Sequence, residues 1–204
     1  TRSDLQMYVN GLYVAGHADY PEETWYEKRG SALHGYFNQS FPKANKDFTA
    51  LEVHNIRYYD NYDFDFNGTD DYTYTQQALA GEEEAPQGRA FGLPTGSKTL
   101  VLGGGSTYLS TYVFYDQYRR VIQTRSNSLF NTTIDDLTTN VYDFEGKVTS
   151  TRRYHRNAPD IVYRNEYDTQ GRIKVTYGPA PLSEPVQWTS QTNVVVNGSE
   201  VRKA

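Results

Sequence analysis

One eleven-residue pattern occurs three times in this chain and constrains the fold more than any other feature. Its copies read "FYDQYRRVIQT" at 114–124, "VYDFEGKVTST" at 141–151 and "EYDTQGRIKVT" at 166–176. The Tyr-Asp pairs begin at Tyr115, Tyr142 and Tyr167, so the pattern recurs after 27 and then 25 residues. A period of this size is typical of repeat architectures, in which each unit is one supersecondary element that packs on its neighbours.

Each copy has the residue alternation of a β-hairpin. In "DIVYRNEY" (160–167), residues 161, 163, 165 and 167 share one face, while 162, 164 and 166 share the other. After the polar break, Ile173, Val175 and Tyr177 alternate with Arg172, Lys174 and Thr176. Period-two alternation on both sides of a short polar break predicts two antiparallel strands joined by a turn.

The fixed letters between the strands have the properties of turn residues. An aspartate carboxylate can accept hydrogen bonds from backbone N–H groups two or three residues further on. A glycine three residues later reaches positive φ without the steric cost that other residues incur. A basic residue and a β-branched residue follow in every copy. The predicted turn residues are Asp116, Asp143, Gly146, Asp168 and Gly171, each aspartate preceded by its tyrosine. In the first copy Arg119 stands at the glycine position, which predicts a turn of another type or a strained one.

The consensus Tyr-Asp-x-x-Gly-(Arg/Lys)-(Val/Ile) is similar to the YD repeat of Rhs and YD-repeat proteins. The resemblance covers about 110–177, and "GSALHGYFNQSFP" and "LPTGSKTLVLGG" resemble the segment ahead of the repeats in large bacterial members. It implies a secreted or surface-exposed protein whose hairpins coil into a long sheet, with the remaining repeats of the parent chain as partners. In some members that sheet closes into a shell around a C-terminal toxin, and three repeats would form only part of such a wall.

The composition also favours strands. Aromatic residues are 15% of the chain, 19 of them tyrosines, against 22% charged residues and a mean hydropathy of -0.77. Tyrosine, threonine, valine and phenylalanine are favoured on half-buried pleated surfaces. We therefore expect an all-β fold of successive antiparallel hairpins in a twisted sheet, with a β-rich N-terminal region and little helix.

Charge and hydropathy exclude several classes of partner. The net charge of -5 disfavours nucleic acid, because an acidic chain repels phosphate backbones. No apolar run is long enough to span a membrane, and the first residues lack the pattern of a signal peptide. The chain has no cysteine, which excludes disulfides and thiolate metal sites. With no initial methionine, it is expected to be a piece of a longer protein.

Composition shifts predict four regions. They are a β-rich N-terminal region (1–66), a long loop or linker (67–98), the hairpin repeats (99–177), and a linker leading into a further β unit (178–204). Residues 20–30 suit a short helix and a strand equally well. Tyr59-Asp60 is a degenerate relative of the repeat, since it lacks the later glycine and basic residue. A hairpin turn is predicted at Asn197-Gly198.

The strongest candidate for a site is "DFDFNGTDD" at 63–71. Its carboxylates and amide match the first half of a calcium-binding loop, because hard cations take oxygen ligands at such alternating positions. The twelfth position, where a bidentate glutamate belongs, is Tyr74. A solvated turn is the alternative. The candidate ligands are Asp63, Asp65, Asn67 and Asp71.

Other chemistry is not indicated. The four histidines show no metal-ligand spacing, Gly103–Gly105 lack the Lys-Ser/Thr of a phosphate loop, and no nucleophile elbow occurs. The consecutive acids 82–84 suit a solvated loop. Without a nucleophile-base pair we expect that the chain has no catalytic site and no cofactor and is not an enzyme. The expected role is a structural scaffold. The alternative is a module whose tyrosines and tryptophans recognise a glycan or an envelope protein.

Overall fold

Twelve β-strands and no helix make up the described part of the chain. The structure, a computed structural model, describes residues 26–40, 52–84, 90–128, 131–156, 158, 160–178, 187–189, 193–196 and 199–202, with the backbone alone for 131–135 and beyond 186. The strands are β1 (Arg29–Leu33), β2 (Asn55–Tyr59), β3 (Pro94–Leu100), β4 (Tyr108–Tyr115), β5 (Val121–Ser128), β6 (Asn131–Tyr142), β7 (Val148–His155), β8 (Ile161–Tyr167), β9 (Ile173–Tyr177), β10 (Gln187–Thr189), β11 (Asn193–Val196) and β12 (Ser199–Arg202). The predicted all-β class is confirmed.

Strands β2 to β12 form one antiparallel sheet in which spatial order follows sequence order. Each strand pairs with the one before and the one after it, and the two edges, β2 and β12, do not close on each other. Strand β10 pairs with β9, so the described strands beyond 186 continue the same sheet. Since the described residues include no helix, none of them forms a helical membrane span.

The first strand belongs to a separate small hairpin. Strand β1 and the segment around Tyr36 bridge across a turn at His34 and Gly35, which have φ values of 52° and 80°. Two successive positive φ values are characteristic of the tight hairpin turn that matches strand twist. Residues 26–30 contain no helix, and 20–25 lie outside the described residues.

The β2–β3 hairpin is built on the plan of the later repeats, but with a long insertion. The Asp60 N–H donates to the Leu93 carbonyl at 3.1 Å, as the Asp116 N–H donates to the Arg120 carbonyl at 3.0 Å. Tyr59 pairs with Pro94 after a register shift, as Tyr115 pairs with Val121. Thus Tyr59-Asp60 begins a related turn whose closing hydrogen bond comes only at Leu93. Because the turn is this long, the glycine and basic residue expected shortly after Tyr-Asp do not reveal it.

The insertion crosses one face of the sheet. Residues 61–84, here called the crossing segment, place Tyr62 on Phe114 with ring centroids 4.6 Å apart and Phe64 on Tyr58 at 4.1 Å. Phe64 fits because Gly96 lies beneath it, where an added Cβ would come within 2.6 Å of the ring. Fully burying one such side chain stabilises the fold by about 1.5–3 kcal/mol. The buried hydrophobic core consists of Ile56, Tyr58, Phe64, Tyr112, Phe114 and Ile122.

The segment predicted as a loop or linker (67–98) therefore lies within the sheet region. Strand β3 begins at Pro94, inside that range, and pairs with β2, which precedes the range in the sequence. The crossing segment is also fixed by polar contacts: the buried Gln123 side chain donates to the Thr75 carbonyl at 2.8 Å and accepts from the Thr75 N–H at 3.3 Å. The division into four regions stays a prediction, but the hydrogen-bonded sheet is continuous across this stretch. The predicted turn at Asn197-Gly198 lies outside the described residues.

Candidate functional site

The three repeats share one turn geometry, closed by an aspartate. Here the five residues 116–120, 143–147 and 168–172 are called YD turns. In the third, the Asp168 N–H donates to the Arg172 carbonyl, and Asp168 Oδ1 accepts from the N–H groups of Gln170 and Arg172, each at 2.9 Å. Lys147 N–H donates likewise to Asp143 Oδ1 at 2.8 Å. The carboxylate thus satisfies donors that the tight turn leaves without strand partners.

The fourth position of each YD turn has positive φ. Gly146 and Gly171 adopt φ values of 87° and 77°, and Arg119 adopts 67° in the first turn. Of the two alternatives for that turn, the strained one is therefore found: the turn keeps its type and an arginine takes the left-handed conformation. Such a conformation costs a non-glycine residue roughly 1–2 kcal/mol.

The repeat tyrosine connects each hairpin to the hairpin before it. Tyr142 Oη donates to the Val121 carbonyl at 2.7 Å, and Tyr167 Oη donates to the Val148 carbonyl at 2.8 Å. Both acceptors are the β-branched residue directly after the preceding YD turn. Tyr115 does the same toward Pro94 at 2.7 Å, which places the β2–β3 hairpin in the series. Burial raises the pKa of the Tyr115 and Tyr142 phenols, which therefore remain protonated donors at neutral pH.

The basic residue makes the connection in the opposite direction. The Arg120 guanidinium donates to the Asp143 carbonyl at 3.0 Å and lies over the Tyr142 ring at 4.6 Å. The ammonium of Lys147 lies over the ring of Tyr167 at 5.6 Å. A cation over an aromatic face contributes about 0.5–1 kcal/mol where it is exposed and more where it is desolvated. Successive units are therefore joined by a phenol pointing back and a cation pointing forward.

The first YD turn is the most buried of the three. Asp116 is fully buried and accepts from Arg120 Nε at 2.5 Å, in addition to the N–H groups of Tyr118 and Arg120. In the third turn the same pair is less buried, with an exposed Arg172 whose Nε lies 2.8 Å from Oδ2 of a half-buried Asp168. The backbone N–H and then the guanidinium of Arg172 lower the pKa of Asp168. A buried carboxylate needs all these donors, since an unpaired one would be strongly destabilising.

A second set of repeated contacts was not predicted from the sequence. Asn140 and Asn165, two residues before their tyrosines, donate to the same carbonyls of Val121 and Val148, at 3.2 and 2.9 Å. Each amide oxygen accepts from a threonine hydroxyl on the next strand: Thr151 to Asn140 at 2.9 Å and Thr176 to Asn165 at 2.8 Å. The signal is present as Asn-x-Tyr-Asp with a threonine nine residues after the tyrosine, in two of the three copies.

The predicted calcium ligands lie together in a loop of the crossing segment. Carboxylate oxygens of Asp63, Asp65 and Asp71 lie within 4.8 Å of one another, and this is the one group of three or more potential metal ligands among the described residues. Asp63 accepts from the N–H groups of Asn67 and Gly68, each at 2.9 Å. Asp71 accepts from the Phe64 N–H at 2.6 Å. These bonds close the loop through its own acids, and calcium binding stays a prediction.

The remaining candidate residues have local partners. His155 pairs with Asp136, His54 lies 3.7 Å from Glu52, and His34 packs edge-on against a tyrosine ring. His17 lies outside the described residues. Glu82 accepts from the Tyr74 hydroxyl at 2.5 Å and from the N–H groups of Gln77 and Leu79, so it orders the end of the crossing segment.

Comparison with known proteins adds no relative. No protein-family model matches the chain, and no curated protein matches it. The similarity to YD repeats therefore depends on the residues of the sequence itself.

Proposed function

We propose that this chain is a noncatalytic structural scaffold, a segment of a large secreted or surface Rhs/YD-repeat protein. The observation that carries the proposal is the bond from each repeat tyrosine to the carbonyl after the preceding turn, at Tyr142 and again at Tyr167. In this pattern the signature side chains connect one unit to the next. Residues that recur in each unit for such contacts serve to assemble the sheet. In a longer parent chain the same contacts would extend the sheet as part of a wall or shell.

A deletion experiment tests whether the units are interchangeable. Removing residues 142–166 joins Val141 to Tyr167, so one whole unit is lost and the Tyr-Asp-x-x-Gly pattern is kept in phase. We expect this variant to unfold in a single cooperative transition, with Tyr167 bonded to Val121 in place of Tyr142. The control removes only residues 142–153 and breaks the phase, and it should lose its cooperative transition.

A reversed order of stability between the two deletion variants would contradict a scaffold of equivalent units. If the smaller, out-of-phase deletion is the better folded of the two, the repeat contacts do not determine assembly. The flanking coding sequence provides a second test, because a scaffold segment of this class should be continued by further Tyr-Asp units. Flanks without such units would count against the parent protein proposed here.

A recognition role is the second candidate, favoured by a row of exposed rings. Phe91, Tyr118 and Phe144 are 81%, 66% and 96% exposed, and each lies in or beside the turn of a successive hairpin at the same end of the strands. Rings so exposed are available to stack on a sugar or to pack on a partner protein. A glycan array and pull-down from envelope extract test this role. Binding lost in Phe144→Ala would support it, and no binding by the unaltered chain would end it.

A further inference from the structure

A pocket of about 300 Å³ lies between the β1 hairpin and the edge strand β2. Its wall is mostly apolar and includes Leu33, Tyr36, Val53 and Ile56, and its charged or titratable groups include Glu27, His34 and Arg57. The pocket lies apart from the YD turns and plays no part in the proposed scaffold role. An apolar pocket with a few convergent polar groups is the usual form of a small-ligand site.

Glu27 provides the polar feature that defines the chemistry. Its Oε1 accepts two hydrogen bonds from Ser40, from the backbone N–H at 2.7 Å and from the hydroxyl at 2.6 Å. Its Oε2 is buried and has no hydrogen-bond partner among the described residues. A buried carboxylate oxygen without a donor is costly, so this oxygen is a vacant acceptor for a ligand donor.

Lys98 and Arg29 act on the pocket residues His34 and Tyr36 from outside the lining, and the described lining itself brings no buried positive charge to that acceptor. His34 has a pKa below its usual value, because burial and then the positive charge of Lys98 disfavour the protonated ring, so the imidazole is neutral at pH 7. Arg57 also lines the pocket, but it is exposed and its charge is screened by water. A cation entering the pocket therefore meets one carboxylate oxygen and no buried positive group among its described lining residues.

We propose that this pocket binds a primary alkylammonium group. The ammonium donates to Glu27 Oε2, and the alkyl chain packs on Leu33, Val53 and Ile56. An ammonium supplies three donors and the charge that a desolvated carboxylate requires. Such a group occurs on a lysine side chain of a partner protein and on a free aliphatic amine, and the experiment separates these two sources.

The test measures binding of n-butylammonium to the full chain by NMR titration, with n-butanol and butyrate as matched probes of the same length. We expect the ammonium to bind, with nuclear Overhauser contacts between its methyl group and the methyls of Leu33 and Ile56. Glu27→Gln should weaken ammonium binding at least about tenfold and leave butanol binding unchanged, since a hydrogen bond to a charged group is removed. Ile173→Ala, on strand β9 and outside the pocket lining, serves as the control variant and should leave the affinity unchanged.

Several results would overturn the proposal. They are equal affinity of the unaltered chain and Glu27→Gln for the ammonium, butyrate binding as tightly as the ammonium, or the absence of the methyl contacts in the unaltered chain. The last measurement does not depend on whether either variant folds. To identify the source, Nα-acetyl-lysine methylamide is compared with n-butylammonium. Tighter binding of the lysine derivative assigns the pocket to a protein lysine, and weaker or equal binding assigns it to a free amine.

Discussion

Two regions of the sheet are stabilised in different ways. Strands β2–β5 with the crossing segment, here the covered region, bury a core of stacked rings. Strands β7–β9, here the bare region, contain no buried side chain among their described residues. Both regions are nevertheless built from the same hairpin, with the same register shift at the repeat tyrosine. The comparison teaches that one hairpin plan can be supported either by burial or by contacts between units.

The difference originates in the insertion between Asp60 and Leu93. That insertion supplies Tyr62, Phe64 and Tyr72, which cover the face of the neighbouring strands. The turn of the β8–β9 hairpin has only five residues and supplies no cover. In the bare region the phenol, amide and cation contacts between units are therefore a larger share of the stabilising free energy.

The largest effect should come from the covered region. Phe64→Ala removes a ring that is 1% exposed and packs on Tyr58 and Tyr112. We expect the free energy of unfolding to fall by about 3–5 kcal/mol, as for other buried phenylalanines. Ile173→Ala in the bare region, where the side chain is 51% exposed, should cost less than about 1 kcal/mol. Denaturant melts of the two variants check this, and equal losses would remove the distinction between the regions.

The next effect concerns the positive-φ position, which is Arg119 in the covered region and a glycine, Gly146 or Gly171, in the two later YD turns. Gly146→Arg should lower the free energy of unfolding by about 1–2 kcal/mol, because an arginine must then hold φ near 87°. Arg119→Gly should raise it by about 0.5 kcal/mol, since relief of strain is partly offset by the entropy of glycine and by loss of an exposed bond to the Phe91 carbonyl. Thermal melts measure both changes. Stabilisation by Gly146→Arg would contradict the turn geometry.

A smaller effect should come from the contact between units. Tyr142→Phe removes one donor from the Val121 carbonyl, and Asn140 still donates to it. We expect a loss of about 1 kcal/mol for this variant and a similar loss for Asn140→Ala. The double variant should lose more than the sum, since the carbonyl then lacks both side-chain donors. A double-mutant cycle measures this coupling, and strict additivity would show that the two donors act independently.

The smallest effect should appear in acid, at one half-buried aspartate in each region. The pKa of Asp168 is lowered by the donors of Arg172. Desolvation raises the pKa of Asp63, but its hydrogen bonds together, those from the Gly68 and Asn67 N–H groups first, outweigh desolvation and lower it. Both values therefore lie below the ordinary 3.8, so the stabilising contribution is present above that pH and is lost as the pH falls further. Carboxyl-carbon NMR titration should give both midpoints below 3.8. Arg172→Ala keeps the backbone N–H and removes the guanidinium, so it should raise the midpoint of Asp168 by part of its shift and leave Asp63 unchanged. An unchanged midpoint for Asp168 would show that the guanidinium does not contribute.

The repeats could be predicted from the sequence because their determinants are local. Aspartate, glycine and alternation fix a turn and two strands within a dozen residues, and Gly146 and Gly171 adopt the positive φ that such a turn requires. The crossing segment could not be predicted in this way. Its position depends on contacts such as Gln123 with Thr75, 48 residues apart, and on the space above Gly96. The role of Asn140 was missed because its amide acts on a neighbouring unit and not on its own turn.

The register shift at the repeat tyrosine has a geometric consequence. It falls at Tyr59, Tyr115, Tyr142 and Tyr167, always beside the turns of one border of the sheet. An extra residue on one strand increases the local right-handed twist, and at these four tyrosines the extra residue lies each time on the strand after the turn. Each of these shifts therefore adds a twist increment of the same sign. Increments of this kind add up without cancelling, so a longer series of such hairpins would wind as a spiral ribbon with a defined pitch and could not extend as a plane.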